Sequence, residues 1–154
     1  MLAPLLLLSI VPRVIPPAKL MSASDLAALN GAWIVTMSGT PSSSNCQKPE
    51  KFAEGLTLMW LVSAMPSGEV TVSVQGQTNY PSLSGTYTRD GLVVDGVVSD
   101  WDGWIYPMSY VNLQPQKDGT LAGFRRLLSV ETSPGNPGIM LPCFIDSAVT
   151  AKKQ

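Results

Sequence analysis

The sequence predicts an all-β chain: an antiparallel up-and-down β-barrel of seven or eight strands with a short N-terminal helical turn. Three observations carry this expectation. Apolar and polar residues alternate over short runs, most cleanly in "VTVSVQG", where Val70, Val72 and Val74 face one way and Thr71 and Ser73 the other. Turn signals such as "PSGE", "RDG", "QKDG" and "SPGNPG" separate these runs at spacings of about 8–15 residues. No crossover helix lies between them, and parallel strands need one. A meander of this length must close or fold over to hide its edges, as a barrel or a sandwich, and the barrel is preferred.

The elements follow in order. "SASDLAALN" predicts one helical turn with Ser24 or Asp25 as N-cap and Leu26 and Leu29 on one side. "AWIVTMS" reads as the first strand and leads into the polar loop "GTPSSSNCQKPE". "LTLMWLVSA" is apolar on both faces, and "VTVSVQG" follows it across the turn "PSGE". "LSGTYTRDGLVVDGVVSD" reads as a hairpin turning at Asp90-Gly91, because both residue types tolerate positive φ. The aromatic segment comes next, then the long strand "TLAGFRRLLSVET" and a short apolar stretch, "IMLPCFI". A chain of 154 residues holds one domain of this kind and leaves little room for a second.

Composition narrows the class. Charged residues are 14% of the chain and hydrophobic residues 45%, a balance that favours a packed core over disorder. With a net charge of −1 and no basic cluster, the chain lacks the concentrated Lys and Arg that bind phosphates, so nucleic acid is excluded as a partner. "LAPLLLLSIV" has the length of a signal-peptide apolar region and is too short to span a bilayer. Ala23 and Ser24 are acceptable before a cleavage point, although no Lys or Arg precedes the apolar run. The expected organisation is therefore a signal peptide over 1–24, one domain over 25–150 and a polar tail over 151–154. Such a protein is extracytoplasmic, periplasmic or secreted, with no stable membrane span once the signal is removed.

Cys46 and Cys143 are the only cysteines, and there is no histidine. Two thiols without imidazole make a poor zinc site, so no metal is expected. In an exported chain the better reading is a disulfide; in a reducing compartment the pair would be two buried thiols.

Acid–base chemistry without histidine would fall to carboxylates, and Asp95, Asp100 and Asp102 cluster in sequence. Aspartate beside glycine at strand ends is chiefly turn chemistry, its side chain bonding nearby backbone. Calcium would need further oxygen ligands in register, and these are missing. No nucleophile elbow, phosphate loop or dinucleotide fingerprint occurs. The sequence thus predicts neither an enzyme nor a cofactor.

What remains is "SDWDGWIYPMSY". As a strand, residues 104–110 project Trp104, Tyr106, Met108 and Tyr110 from one face, with Trp101 in the preceding turn near the rim. Pro107 places that strand at an edge or a bulge. An inward aromatic face either fills the core or lines a space for one small ligand; an outward one would dock a partner or stack on a sugar.

A helical turn followed by "LNGAW" resembles the Gly-x-Trp opening of lipocalins and the wider calycin superfamily. The resemblance implies an eight-stranded barrel whose closed end is crossed by Trp33, packed against an arginine from a late strand. "GFRR" supplies two candidates. Alternation puts Arg126 with Ala122, Phe124, Leu128 and Val130 on the more apolar face, which selects Arg126 as the partner of Trp33 and leaves Arg125 solvated. A disulfide from Cys143 to Cys46 would imitate the lipocalin tie of the C-terminal segment. "SASDLAALNGAW" is also similar to the opening of small periplasmic inhibitors of bacterial metalloproteases, and "SGTY" to avidin-like barrels. The expected function is a binding protein that holds a small apolar or amphipathic ligand through Trp104, Tyr106, Met108, Tyr110 and Trp101. The alternative is an envelope or secreted protein-interaction module, such as a protease inhibitor, docking through loops 39–51 or 133–138.

Overall fold

The computed structural model describes residues 21–47, 55–76, 82–99 and 105–154, without the side chains of 97–99 and 105–108. One helix and eight strands follow in order: α1 (Ala23–Leu29), β1 (Gly31–Ser44), β2 (Leu56–Ala64), β3 (Glu69–Gln75), β4 (Leu83–Thr88), β5 (Gly91–Ser99), β6 (Ile105–Pro115), β7 (Leu121–Ser133) and β8 (Asn136–Lys153). Each strand pairs antiparallel with the next and β8 returns to β1, giving a closed up-and-down barrel. Closure gives every strand of the barrel a neighbour on both sides.

Period-2 alternation lines the interior. Trp33, Val35 and Met37 enter from β1, Leu58, Trp60 and Val62 from β2, and Val70, Val72 and Val74 from β3. Leu92 and Val94 of β5 meet Val111 and Leu113 of β6, all at 1% exposure or less. Burial of each such side chain contributes roughly 1.5–3 kcal/mol. β2 has one buried face; Met59 and Leu61 on its other face are exposed.

The hairpin at residues 88–91 differs from the expected turn. Thr88 pairs with Gly91, so Arg89 and Asp90 form the turn, and among the described residues none other than glycine has positive φ. Gly91, at φ 116°, absorbs the twist that a side chain would resist.

The helix plugs one end. Its N-cap is Ser22, ahead of the expected Ser24 or Asp25, and it begins before the expected boundary at 24. Ser22 Oγ accepts from the Asp25 backbone N–H (3.2 Å) and donates to Asp25 Oδ2 (2.6 Å), so a Ser-x-x-Asp box fixes the start. Leu26 and Leu29 insert into the core, and Trp33 Nε1 donates to Leu29 O at 2.8 Å. Lys153 Nζ donates to Ala28 O.

The expected polar tail is corrected. β8 runs to Lys153, with Ala151 buried between Val35 and Leu121, and the Gln154 N–H donates to Ala32 O. These residues close the barrel, because the last strand must reach Trp33 to complete the seam. Much of the expected polar loop after residue 38 is likewise strand, since β1 continues to Ser44 past register shifts on either side of Pro41.

Candidate functional site

Beyond the valine layers the inner wall changes character along β7. The buried residues of this strand are Leu121, Arg125 and Ser129. Arg125, 8% exposed, donates from Nε to Ser109 Oγ at 3.0 Å, and its Nη1 lies 3.7 Å from Met37 Sδ. Buried Ser147 of β8 stands opposite it in the ladder. Farther along, Ser129 Oγ is buried without a hydrogen-bond partner among the described residues, as is Trp60 Nε1 on β2. The interior therefore combines an aliphatic base with a guanidinium-and-hydroxyl station higher on the wall.

The two arginines exchange their expected places. Arg126 faces outward and makes a bidentate pair with Asp146, Nε to Oδ1 and Nη2 to Oδ2 both at 2.8 Å. Its guanidinium lies 4.4 Å from the centroid of Phe144. Phe124 joins the same outer face, 5.9 Å from Tyr110. Counting apolar neighbours misassigned the faces because this outer cluster is self-sufficient: ring on ring, cation on ring, cation with carboxylate. Trp33 finds its polar partner in the helix end and not in Arg126.

Tyr110 is corrected for the same reason. Ser109, Val111 and Leu113 are the inward residues of β6, so Tyr110 is on the outer face, where its hydroxyl accepts from Asn112 Nδ2 at 3.3 Å. Trp101 and Trp104 lie outside the described residues, as do Asp100 and Asp102. Tyr106 and Met108 belong to β6, Tyr106 opposite Val98, but their side chains are outside the described set. Asp95 is exposed and opposite Ser84 and Tyr110, with no second described carboxylate paired to it.

Arg125 was missed as an interior residue. The signal was parity: counting from Leu121, the first strand residue after "QKDGT", puts Arg125 and Ser129 on its face.

Arg126 holds the Asp146 carboxyl below the usual range, aided by a 3.0 Å hydrogen bond from Ser43 and opposed by desolvation. A lowered folded-state value stabilises the protein above the ordinary carboxylate pKa, near 3.9, and that contribution disappears as pH falls through the folded value. Asp146→Asn is therefore expected to melt at a lower temperature than wild type near neutrality, and the two melting curves are expected to converge in strong acid. Thermal melts from about pH 7 to about pH 2 check this.

At the closed end, Asp25, Leu29, Trp33, Tyr87, Leu121 and Lys153 line a cleft of about 360 Å³. Burial, and secondarily the Asp25 carboxylate, raise the pKa of the Tyr87 phenol. At the other end Cys46 and Cys143 form a disulfide beside Glu131. The S–S bond consumes both thiolates, so that trio is not a metal centre. Among the described residues, no helix is long and apolar enough to cross a membrane.

No family model matches the chain, and neither the curated proteins nor the solved structures provide a match. The closed eight-stranded antiparallel barrel is compatible with a calycin-like fold.

Proposed function

We propose that this chain is an exported, non-enzymatic, calycin-like barrel that holds a small amphipathic ligand. The observation that carries the reading is the graded inner wall: Val35, Val72, Val94, Val111 and Leu113 form an aliphatic floor, and Arg125 with Ser109 stands beyond it. A ligand with an apolar tail and an acidic or hydroxylated head matches that order of chemistry. Arg125 has five N–H donors in a fixed fork, well suited to an acidic head. The Cys46–Cys143 disulfide supports an oxidising, extracytoplasmic compartment.

Trp33 and Trp60 lie in the inner wall and report on its occupancy. Titration with fatty acids, retinoids and neutral hydrophobic dyes is expected to quench or shift their fluorescence. Arg125→Leu is expected to weaken binding of a carboxylate amphiphile by roughly tenfold to a hundredfold, the worth of one charge-assisted hydrogen bond, while sparing a neutral dye. Silence with the whole panel would sink the reading.

A second reading, a protein-interaction module, is favoured by the β7–β8 tip, where consecutive Ile139, Met140 and Leu141 are each 43–47% exposed. Affinity capture from an envelope extract, with Ile139→Ser as control, separates the two. A partner retained only by wild type supports docking through this tip.

A further inference from the structure

We propose that the cleft at the closed end is a second binding site, which takes a small zwitterion with an apolar side group, the chemistry of a free apolar amino acid. Asp25, Ala28 and Leu29 of α1 form one wall, since spacings of three and four put them on a single helical face. Trp33, Tyr87 and Leu121, each at 6% exposure or less, form the floor. The β6–β7 turn closes the far side, held by Gln116 N–H on Thr120 O at 2.8 Å and Gly119 N–H on Gln116 O at 3.1 Å. At about 360 Å³ the cleft falls within the range of small-molecule sites, about 300–1,000 Å³.

Three polar groups border this apolar floor with bonding capacity left over. Tyr87 is buried, yet its hydroxyl makes no hydrogen bond among the described residues. Burial, and then the Asp25 carboxylate, raise its pKa, so it offers a neutral hydroxyl beside Asp25. Asp25 accepts from Ser22 through Oδ2 and forms no ion pair among the described residues. Lys153 donates one N–H to Ala28 O at 2.5 Å, which leaves two donors, and it too has no described ion-pair partner. Its stem lies over Gly31, where an added Cβ would be 3.5 Å from Lys153 Cε. Ser22 positions the carboxylate and Ala28 the ammonium, so the ligand need not order either.

Opposite charges held apart over an apolar floor select the ligand. Asp25 and Ala28 are three residues apart on α1, a rise of about 4.5 Å, so the anchored ammonium stands about one turn from the carboxylate. A ligand ammonium bonds Asp25 and the Tyr87 hydroxyl, a ligand carboxylate bonds Lys153, and the apolar group lies against Trp33 and Leu121. A simple cation would leave Lys153 without a counter-charge, and a simple anion would do the same to Asp25. A pure hydrocarbon would take all three groups from water and return no bond. The site does not depend on the barrel interior: Arg125 lies four residues beyond Leu121 on β7, about 13 Å along the strand.

Titration of the purified, disulfide-bonded protein with L-phenylalanine, phenethylamine and 3-phenylpropionate, followed by backbone amide NMR, tests the site. These probes share one apolar group and differ in charge. L-Phenylalanine is expected to bind with a Kd of about 1 mM or tighter and to shift the amides of Ala28, Gly119 and Leu121. Each singly charged probe is expected to bind roughly tenfold more weakly or worse, having lost a charge-assisted bond. Asp25→Asn can still accept from Ser22; it is expected to weaken L-phenylalanine and phenethylamine by a similar factor and to spare 3-phenylpropionate. Tyr87→Phe removes a hydroxyl that bonds no described residue, so it is expected to keep the wild-type melting temperature and to weaken L-phenylalanine about fivefold. Absence of saturable shifts at these amides up to about 10 mM L-phenylalanine overturns the proposal. Equal affinity for the three probes overturns it too, as does a folded Tyr87→Phe that binds as wild type does.

Discussion

Replacing Cys46 and Cys143 together by serine is expected to lower stability by about 4 kcal/mol, or roughly 8–16 °C in melting temperature for a chain of this size. The magnitude follows from the 97-residue separation, because closing a long loop removes the most entropy from the unfolded chain. Position adds a local effect. β8 leaves β1 just beyond the bond: Ser44 pairs with Ile145, Asn45 bonds to Phe144, and among the described residues 136–142 pair with β7 alone. Without the bond, Ser44 Oγ donating to Phe144 O at 2.9 Å, the two Asn45 contacts and the Gln47 N–H on Glu131 Oε2 at 2.6 Å are left to hold that junction among the described residues. Hydrogen exchange is therefore expected to accelerate first at residues 139–145, while Val35, Val72 and Val111 remain protected. Denaturant unfolding of the double variant gives the global figure. A loss below about 1 kcal/mol would mean that the unfolded chain is already compact enough to keep both ends close.

The barrel was legible because its information is local. Alternation in "VTVSVQG" and glycines ending the tight turns report directly on strands and hairpins, and Gly68, Gly91, Gly119 and Gly135 all take positive φ there. The helix start was less legible: Ser22, Ser24 and Asp25 are all good caps, and the reciprocal Ser22–Asp25 bonds decide among them.

The site was harder to read because the side a residue faces depends on register, and one step reverses every residue. In "GFRR" hydrophobicity favoured the face of Phe124 and Arg126, yet the outer wall satisfies those residues with Phe144 and Asp146. These partners lie about twenty positions away, beyond the reach of local patterning. Tyr110 failed with them, being paired to Arg126 across the ladder. The disulfide was legible from cysteine count alone, but its place at the base of a projecting hairpin depended on how far β7 and β8 outrun their neighbours.

Gly123→Ala and Gly85→Ala are each expected to destabilise the barrel by about 3 kcal/mol or more, at the upper end of what overpacking costs. Neither glycine has an unusual φ; the constraint is crowding. A Cβ at Gly123 would fall within the contact radius of Asn112 O and 3.1 Å from Leu113 Cα. One at Gly85 would meet Val93 O and lie 2.8 Å from Val94 Cα. These obstacles are backbone atoms of the adjacent strand, which no rotamer change can move. They arise because a small barrel must bend its strands sharply, bringing the neighbouring backbone over the inner face where both glycines sit. The two positions belong to different strand pairs, β4 with β5 and β6 with β7, so their losses are expected to add within about 0.5 kcal/mol. Gly135→Ala is the control, since it has φ 83° and open space around it. Its cost is the conformational penalty alone, about 1–2 kcal/mol. Equal losses at Gly135 and Gly123 in denaturant unfolding would mean that the β6–β7 seam opens to admit a methyl group. A larger loss at Gly123 means that close contact between the strands, and not turn geometry, sets the curvature of the wall that carries Arg125.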